Sequence, residues 1–447
     1  MSYLLAIDIG SSKICVVVAQ IEIAPSGGGA STARVIGSGV ARASGLKKGA
    51  IVDIQSAAQA IQLAVNDACN FAGVSPKRAL VSVSGAYIYS VPSVGRANIP
   101  MKEIEPKDIN RVMRLAVDQV APSPEYEILH ILPYEFKVDE QANVQDPVGM
   151  HGSRLEAQVN VVIAQKPAME NLRRAIAAAG VEVENFVLSS YAASIAVLND
   201  DERELGSCVI DIGASTCDMA IFQGNAPRYC DFFAVGGGHI TSDLSISLHT
   251  PLRAAENIKI EHGSLLRRGE GYLDIPQMGN ESASRNAALD TIANVINARV
   301  EETLLYLSSM LTKSQLRHAI GAGVVFTGGA AKLEGIAEIA SPIFGNMPVR
   351  VARCKQIAGM SDSMRDPAYA VALGLVRYGA GEWTPYEIDS TNNLREGFRK
   401  RAKQAEAALP EEEEEAEVAQ TQLTVPDAKF QEPTPFNRLW NWLRNMF

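Results

Sequence analysis

The sequence predicts an α/β protein of two related domains, with an inserted α+β subdomain, a disordered acidic linker and a C-terminal amphipathic helix. Three observations carry this expectation. An apolar strand running into an Asp-x-Gly turn occurs twice, once in Leu4-Leu5-Ala6-Ile7-Asp8-Ile9-Gly10-Ser11-Ser12-Lys13 and once in Val209-Ile210-Asp211-Ile212-Gly213-Ala214-Ser215-Thr216-Cys217-Asp218. A stretch of short strands and recurrent prolines interrupts the core pattern between residues 84 and 164. The core pattern then stops at Glu382, and an acidic segment leads to twelve apolar, basic and amide residues.

Each Asp-x-Gly copy is followed by another apolar run, Ile14 to Ala19 and Met219 to Phe222, so each reads as a β-hairpin with polar atoms in its turn. Glycine at Gly10 and Gly213 lets the main chain approach a ligand closely. Successive N–H groups in such a turn form a concavity suited to phosphate oxygens. Ser11, Ser12, Ser215 and Thr216 add hydroxyl donors. Asp8 and Asp211 stand beside the turns, where a cation must separate a carboxylate from phosphate; Mg2+ retaining several waters fits that place. Two such turns facing each other grip a polyphosphate from both sides. The plain alternative, two ordinary glycine-turn hairpins, explains one copy better than two matched ones. A third turn, Gly323-Val324-Val325-Phe326-Thr327-Gly328-Gly329-Ala330, ends a buried-type strand in Gly-Gly, where a base or sugar finds room.

In chain order, residues 1–83 form the first part of the first domain, with a helix over Ile54–Phe71 carried by Ile54, Ala57, Ile61, Ala64, Val65 and Ala68 and stopped at Gly73. The tip Pro25–Gly29 lengthens the hairpin that follows Val18 and is structurally idle. Residues 84–164 are the insert, with one helix near Lys107–Val120. Residues 165–200 return to the first domain. Pro167 suits a first helical turn and Gly180 a helix stop. Phe186–Leu198 carries the small residues Ala192, Ala193 and Ala196, which another helix could cross closely.

Residues 201–241 open the second domain and contain a glycine-rich entry to a helix, Gly236-Gly237-Gly238, read as a phosphate or ribose contact against the plainer role of helix entry. Residues 242–320 form its outer part. There Glu256 and Lys259 lie three apart on one helical face, as a surface pair would. A long amphipathic helix is expected over about 286–312. Residues 321–381 complete the core, ending in a second small-residue helix, Asp366–Tyr378.

The 447 residues suffice for at least two domains with ample core. The net charge of −10 argues against a general nucleic-acid binder. The chain opens directly into a strand, so no signal peptide is expected, and no apolar run is long enough to span a bilayer. The six cysteines have no zinc or CxxC spacing, and buried thiols in a reduced compartment are expected. The scattered histidines argue against a His-based metal site.

Residues 382–435 carry 13 acidic and 6 basic residues, so most of the chain's net charge of −10 lies there. Such a segment cannot bury enough surface to fold and reads as a disordered linker, with a helix over 394–409 open. At 436–447, Phe436, Leu439, Trp440, Leu443 and Phe447 form one helical stripe flanked by Trp442 and Met446, with Arg438 and Arg444 on the other face. A basic amphipathic helix with tryptophan at its boundary is a membrane-surface anchor. The plainer role is docking on the protein's own core, and the acidic tether argues against it.

The three turns in this order resemble the first phosphate, second phosphate and adenosine motifs of the actin/Hsp70/sugar-kinase superfamily. With the insert, Gly45-Leu46-Lys47-Lys48-Gly49, Val235-Gly236-Gly237-Gly238-His239-Ile240-Thr241, Val325-Phe326-Thr327-Gly328-Gly329-Ala330-Ala331 and the tail, nearly the whole chain resembles the FtsA family of bacterial actin-like division proteins. A type IV pilus assembly protein of the same architecture lacks this tail, and a kinase or ATPase machine would turn over a small substrate. Where many family members have Asn in the glycine-rich turn, this chain has Gly238.

The resemblance implies an actin-like two-domain ATPase fold. Subdomain 1A covers 1–83 and 165–200, 1C covers 84–164, 2A covers 201–241 and 321–381, and 2B covers 242–320. It implies that ATP and Mg2+ bind between the halves, at Asp8, Gly10, Ser11, Ser12, Lys13, Asp211, Gly213, Ala214, Ser215, Thr216, Gly236, Gly237, Gly238, Glu256, Lys259, Gly328, Gly329 and Ala330. Glu256 and Lys259 would hold the ribose. It also implies head-to-tail filaments through 1C, other division proteins as partners, anionic lipids under the tail, and the FtsZ C-terminal peptide on 2B. Arg299 and Arg317 are candidate contacts for that acidic and apolar peptide.

Overall fold

The computed structural model describes residues 2–22, 31–224, 226–266 and 270–395. The hairpin tip at 25–29, the linker beyond Arg395 and the terminal helix expected at 436–447 lie outside these residues.

Strands β1 (Ser2–Ile9), β2 (Lys13–Glu22) and β3 (Thr32–Arg42) form an antiparallel meander. Two-residue strands β4 (Leu46–Lys47) and β5 (Ala50–Ile51) lead into helix α1 (Ile54–Ala72) and strand β6 (Arg78–Val83). The Asp53 carboxylate caps α1 by accepting from the N–H groups of Gln55 and Ser56, and Gly73 ends it in the left-handed region at φ 69. The insert comprises β7 (Ile88–Glu103), α2 (Pro106–Val120), β8 (Tyr126–Val138), β9 (Gln141–Val144) and β10 (His151–Gln165). Then α3 (Lys166–Ala178), β11 (Glu182–Leu188) and α4 (Ser189–Val197) close the first half.

The second half runs α5 (Asp200–Glu204), β12 (Ser207–Ile212), β13 (Cys217–Gln223), β14 (Ala226–Phe233), α6 (Gly237–Leu248) and α7 (Leu252–His262). It continues with β15 (Tyr272–Gln277), β16 (Asn280–Ala288), α8 (Leu289–Lys313), β17 (Val324–Thr327), α9 (Ile336–Ile343), β18 (Val349–Val351) and α10 (Ala370–Gly379).

The two halves repeat one topology. The first sheet has the order β11-β6-β1-β2-β3 and the second β18-β17-β12-β13-β14. In each, the Asp-bearing strand pairs antiparallel to its hairpin partner and parallel to the strand on its other side. Central strands buried on both faces read as continuous apolar runs, and Leu4–Ile7 and Cys208–Ile210 are such runs. Helices α4 and α10 pack against each other, as their small residues predict. A Cβ at Gly374 would lie 1.8 Å from the Ala192 carbonyl oxygen, so only glycine permits this crossing.

The insert forms its own four-stranded sheet, β7-β10-β8-β9, with α2 packed on it and a separate apolar core. Its three main strands have 16, 13 and 15 residues, longer than the short strands expected. Pro92, Pro100 and Pro133 sit inside them, and register irregularities accompany Pro133. These prolines are absorbed where the ladder is irregular or where no neighbour needs the missing N–H.

The largest correction concerns residues 382–395, expected to begin the disordered linker. They are packed instead. Tyr386 and Ile388 enter the core of the insert, and Ile388 exchanges backbone hydrogen bonds with Ile131 of β8 at 2.9 and 3.0 Å. Glu387, fully buried, accepts from the hydroxyls of Tyr191 on α4 at 2.6 Å and Tyr378 on α10 at 2.5 Å. Averaging charge over 382–435 hid Trp383, Tyr386 and Ile388, and a buried carboxylate with two hydroxyl donors is not a solvated one.

Candidate functional site

The two matched turns close identically. The Gly10 N–H donates to the Lys13 carbonyl at 3.1 Å, and the Gly213 N–H donates to the Thr216 carbonyl at 2.8 Å. A Cβ at Gly10 would meet Lys13 O at 2.7 Å, and one at Gly213 would meet Thr216 O at 3.2 Å. Glycine is needed here for space across the turn; neither residue has a positive φ. At the third turn both constraints act. Gly328 has φ +88, and a Cβ there would lie 2.1 Å from Asp211 Oδ1.

The three turns face one cavity of about 430 Å³, within the range that holds a nucleotide-sized ligand. It is lined by Asp8, Gly10, Ser11, Ser12, Lys13, Asp211, Gly213, Ala214, Thr216, Gly237, Glu256, Lys259, Gly328, Gly329 and Ala330. Ser215, Gly236 and Gly238 do not line it. The glycine-rich turn packs against the second phosphate-type turn: the Gly237 and Gly238 N–H groups donate to Gly213 O at 2.9 Å and Ala214 O at 2.7 Å. Those N–H groups are therefore spent inside the protein. A side chain at Gly236 would run into Gly213 O at 2.5 Å.

Glu256 and Lys259 of α7 pair at 2.7 Å, and Lys259 Nζ also donates to Thr241 Oγ1 at 3.0 Å and Gly237 O at 3.2 Å. Thr241 in turn donates to Glu256. The pair is held at the cavity wall by the first turns of α6. Lys13 lies over the Tyr369 ring, 3.8 Å from its centroid.

Burial dominates the electrostatics of the three aspartates in the cleft. Burial raises Asp8 from the ordinary 3.8 to about 6, against the pull of the Ser82 hydrogen bond and Lys13. Burial raises Asp218 to about 7, opposed by its hydrogen bond from Ser84 and reinforced by Asp8. Asp211 is pushed well up by burial, then by Asp218 and Asp8. Among the described residues no three acidic, histidine or cysteine side chains are placed to ligate a metal directly. This donor set fits Mg2+ held through waters and phosphate oxygens, not an all-protein cage.

Sequence reasoning missed Ser82, Ser84, Gly49, Lys332 and Asp218, which the fold brings to the cleft. Ser82 Oγ donates to Asp8 Oδ1 at 2.9 Å and accepts from Ile9 N at 3.0 Å. Ser84 Oγ donates to Asp218 Oδ1 at 2.6 Å. The signals existed: Val81-Ser82-Val83-Ser84 alternates, putting both serines on one face, and Asp218 pairs in register with Asp211.

Outside the cleft, Arg299 is bound to Asp243 at 2.5 Å and to Glu302, and Arg317 donates to Phe344 O at 2.8 Å. Both cations have partners within their own domain. Among the described residues no helix is long and apolar enough to cross a membrane.

The family model described as "Cell division protein FtsA" matches residues 208–374, and that for the "SHS2 domain inserted in FTSA" matches 85–163. The chain is 36% identical over 423 residues to the cell division protein FtsA of Helicobacter pylori, covering 88% of this chain and 84% of that one. It is 35% identical over 379 residues to that of Pseudomonas aeruginosa, covering 84% and 89%. Among solved structures, the PilM-PilN type IV pilus biogenesis complex matches with a TM-score of 0.60 at 18% identity, over 84% of this chain and 98% of that one. That likeness is one of fold.

Proposed function

The chain belongs to the FtsA family of actin-like cell-division proteins, and from that premise we propose an ATP-dependent adaptor that polymerises on the inner membrane and holds FtsZ there. The observation that carries the nucleotide part is the cavity between two identically closed Asp-x-Gly turns, with Gly328 and Gly329 on its third side. ATP lies in that cavity with its phosphates on Ser11, Ser12, Lys13, Ala214 and Thr216. Its ribose meets Glu256 and Lys259, and its adenosine meets Gly328, Gly329 and Ala330. Asp8 and Asp211 would hold Mg2+ through its waters, and the metal would offset the charge that burial makes costly on these two carboxyls. The metal supplies charge neutralisation; the protein supplies the two turns that orient the phosphate chain.

Residues 84–164 serve as the assembly surface, because they fold as a separate sheet and helix with an apolar core of their own. Filaments grow head to tail through it, and other division proteins bind there too. The FtsZ C-terminal peptide docks on 242–320. Arg317 is a better contact than Arg299, whose guanidinium already has two carboxylates.

The tail at 436–447 anchors the chain peripherally on the cytoplasmic face of the inner membrane at the division site. Phe436, Leu439, Trp440, Trp442, Leu443, Met446 and Phe447 enter the lipid boundary, while Arg438 and Arg444 meet anionic headgroups at about 1 kcal/mol each. One short helix is marginal alone, so binding strengthens when a filament links many tails.

The test is pelleting with anionic vesicles, FtsZ and Mg-ATP. Wild type should carry FtsZ down with the vesicles. Trp440→Glu should not, while binding ATP normally by calorimetry. Equal pelleting of the variant would return the tail to docking on its own core, and wild type that fails to bind ATP would overturn the nucleotide site.

A further inference from the structure

The cleft holds four carboxylates, and the roles given to Asp8, Asp211 and Glu256 leave Asp218 without one. Its surroundings differ from theirs. Asp8 belongs to the first half and is held by Ser82 of the same sheet. Asp211 abuts Gly328 of the neighbouring strand. Asp218 stands on β13 in register with Asp211, on the same face, and its Oδ1 accepts from Ser84 Oγ of the other half at 2.6 Å. Both side chains line the cavity. This contact therefore bridges the two halves inside the site, and a change in cleft opening alters it directly.

A carboxylate oxygen and a hydroxyl one hydrogen bond apart are the minimum needed to seat a water. The carboxylate accepts one of its protons, and the serine oxygen, with a lone pair left after donating to Asp218, accepts the other. We propose that Asp218 and Ser84 position the water that attacks the terminal phosphoryl group of ATP in this cleft. The proposal rests on the reading of the cavity as an ATP site. In the step, the water oxygen forms the new bond to phosphorus. The bond from phosphorus to the bridging oxygen breaks, and its electron pair leaves with ADP. The water's proton ends on the phosphate product, while Asp218 accepts the hydrogen bond that aligns the attack. Orientation of this kind, with little covalent work for the protein, is what phosphoryl transfer demands.

The pair also has a place in the larger architecture. Ser84 is the residue immediately before the insert matched at 85–163. It is fixed from behind by Gly49, where a Cβ would lie 2.4 Å from the Ser84 carbonyl oxygen, and by the hydroxyl of Tyr87 donating to Gly49 O at 3.4 Å. The water-positioning pair is complete only when the halves are closed and the root of the insert is seated.

The experiment uses the full chain with Asp218→Asn and Ser84→Ala. Affinity is measured by calorimetry with a non-hydrolysable ATP analogue, and phosphate release is measured against ATP concentration. Asp218→Asn should lower phosphate release at saturation by about 100-fold or more, the range for losing the group that orients an attacking atom. Its affinity for the analogue should hold or rise, since a negative charge facing the phosphates is gone. Ser84→Ala should lose about tenfold at saturation with its KM little changed, as one neutral hydrogen bond is removed. Saturated rates equal to wild type in both variants overturn the proposal. So does wild type that binds ATP but releases no phosphate, and so does analogue affinity falling in step with rate. Wild type that does not bind the analogue overturns the ATP site itself, and the proposal with it.

Discussion

Asp8→Asn should stabilise the nucleotide-free protein at pH 8 while weakening its hold on Mg-ATP. Burial raises the Asp8 carboxyl from 3.8 to about 6. The folded state therefore holds a proton that the unfolded chain has released. The associated stability is complete below about pH 4 and is lost as pH rises through 6. Asp218 extends the same loss to about pH 7. Ionising Asp8 in place costs the fold on the order of 3 kcal/mol, from the two values and 1.36 kcal/mol per pH unit. Asparagine removes that cost and keeps an oxygen for the Ser82 hydroxyl. It also removes a neighbour that raises Asp211 and Asp218. The assay is denaturant unfolding followed through Trp383, the one tryptophan outside the tail, which packs on the core of the Asp8 half. Near pH 3.5 the two proteins should unfold at similar denaturant concentrations. At pH 8 without nucleotide the variant should be more stable by about 3 kcal/mol, and calorimetry should show weaker Mg-ATP binding. A variant no more stable than wild type at pH 8 would refute the claim that an uncompensated buried charge sits in the cleft.

Three further outcomes follow from geometry. Gly328→Val places a Cβ 2.1 Å from Asp211 Oδ1 at φ +88; ATP affinity by calorimetry should fall at least about 100-fold, with left-handed backbone strain of about 1–2 kcal/mol lowering the melting temperature. Glu387→Ala removes the carboxylate that two buried tyrosine hydroxyls share and leaves Tyr191 only its Thr384 partner, so the fold should lose about 3 kcal/mol and trypsin should cut at Arg395 faster; unchanged melting would mean that residues 382–395 do not clamp the helices α4 and α10. Gly374→Leu puts a side chain against the Ala192 carbonyl at 1.8 Å and should cost about 3 kcal/mol or more, read as a lower melting temperature for the whole chain.

The sequence by itself determined the duplication, because a central strand covered on both faces must be apolar and a turn that closes in four residues must begin with glycine. Both signatures are local, and both appear at Asp8–Lys13 and Asp211–Thr216. The insert was legible for a related reason: its composition changes where the chain leaves one core and enters another, and its bounds at 84–164 lie within a residue of the matched domain. The family likeness covered the same stretches. Partnerships between distant residues were decided only in three dimensions. Gly237 and Gly238 read as ligand contacts, yet their N–H groups are consumed by Gly213 and Ala214, a pairing that depends on how α6 meets the β12–β13 turn. Glu387 read as one more charge in an acidic linker, and it is buried because Tyr191, from a helix almost two hundred residues earlier, brings its hydroxyl to that point. Asp218 stood in plain view at the end of the second motif. Its meaning came from Ser84 across the cleft, because a hydrogen bond between two domains leaves no periodicity in either strand that supplies it.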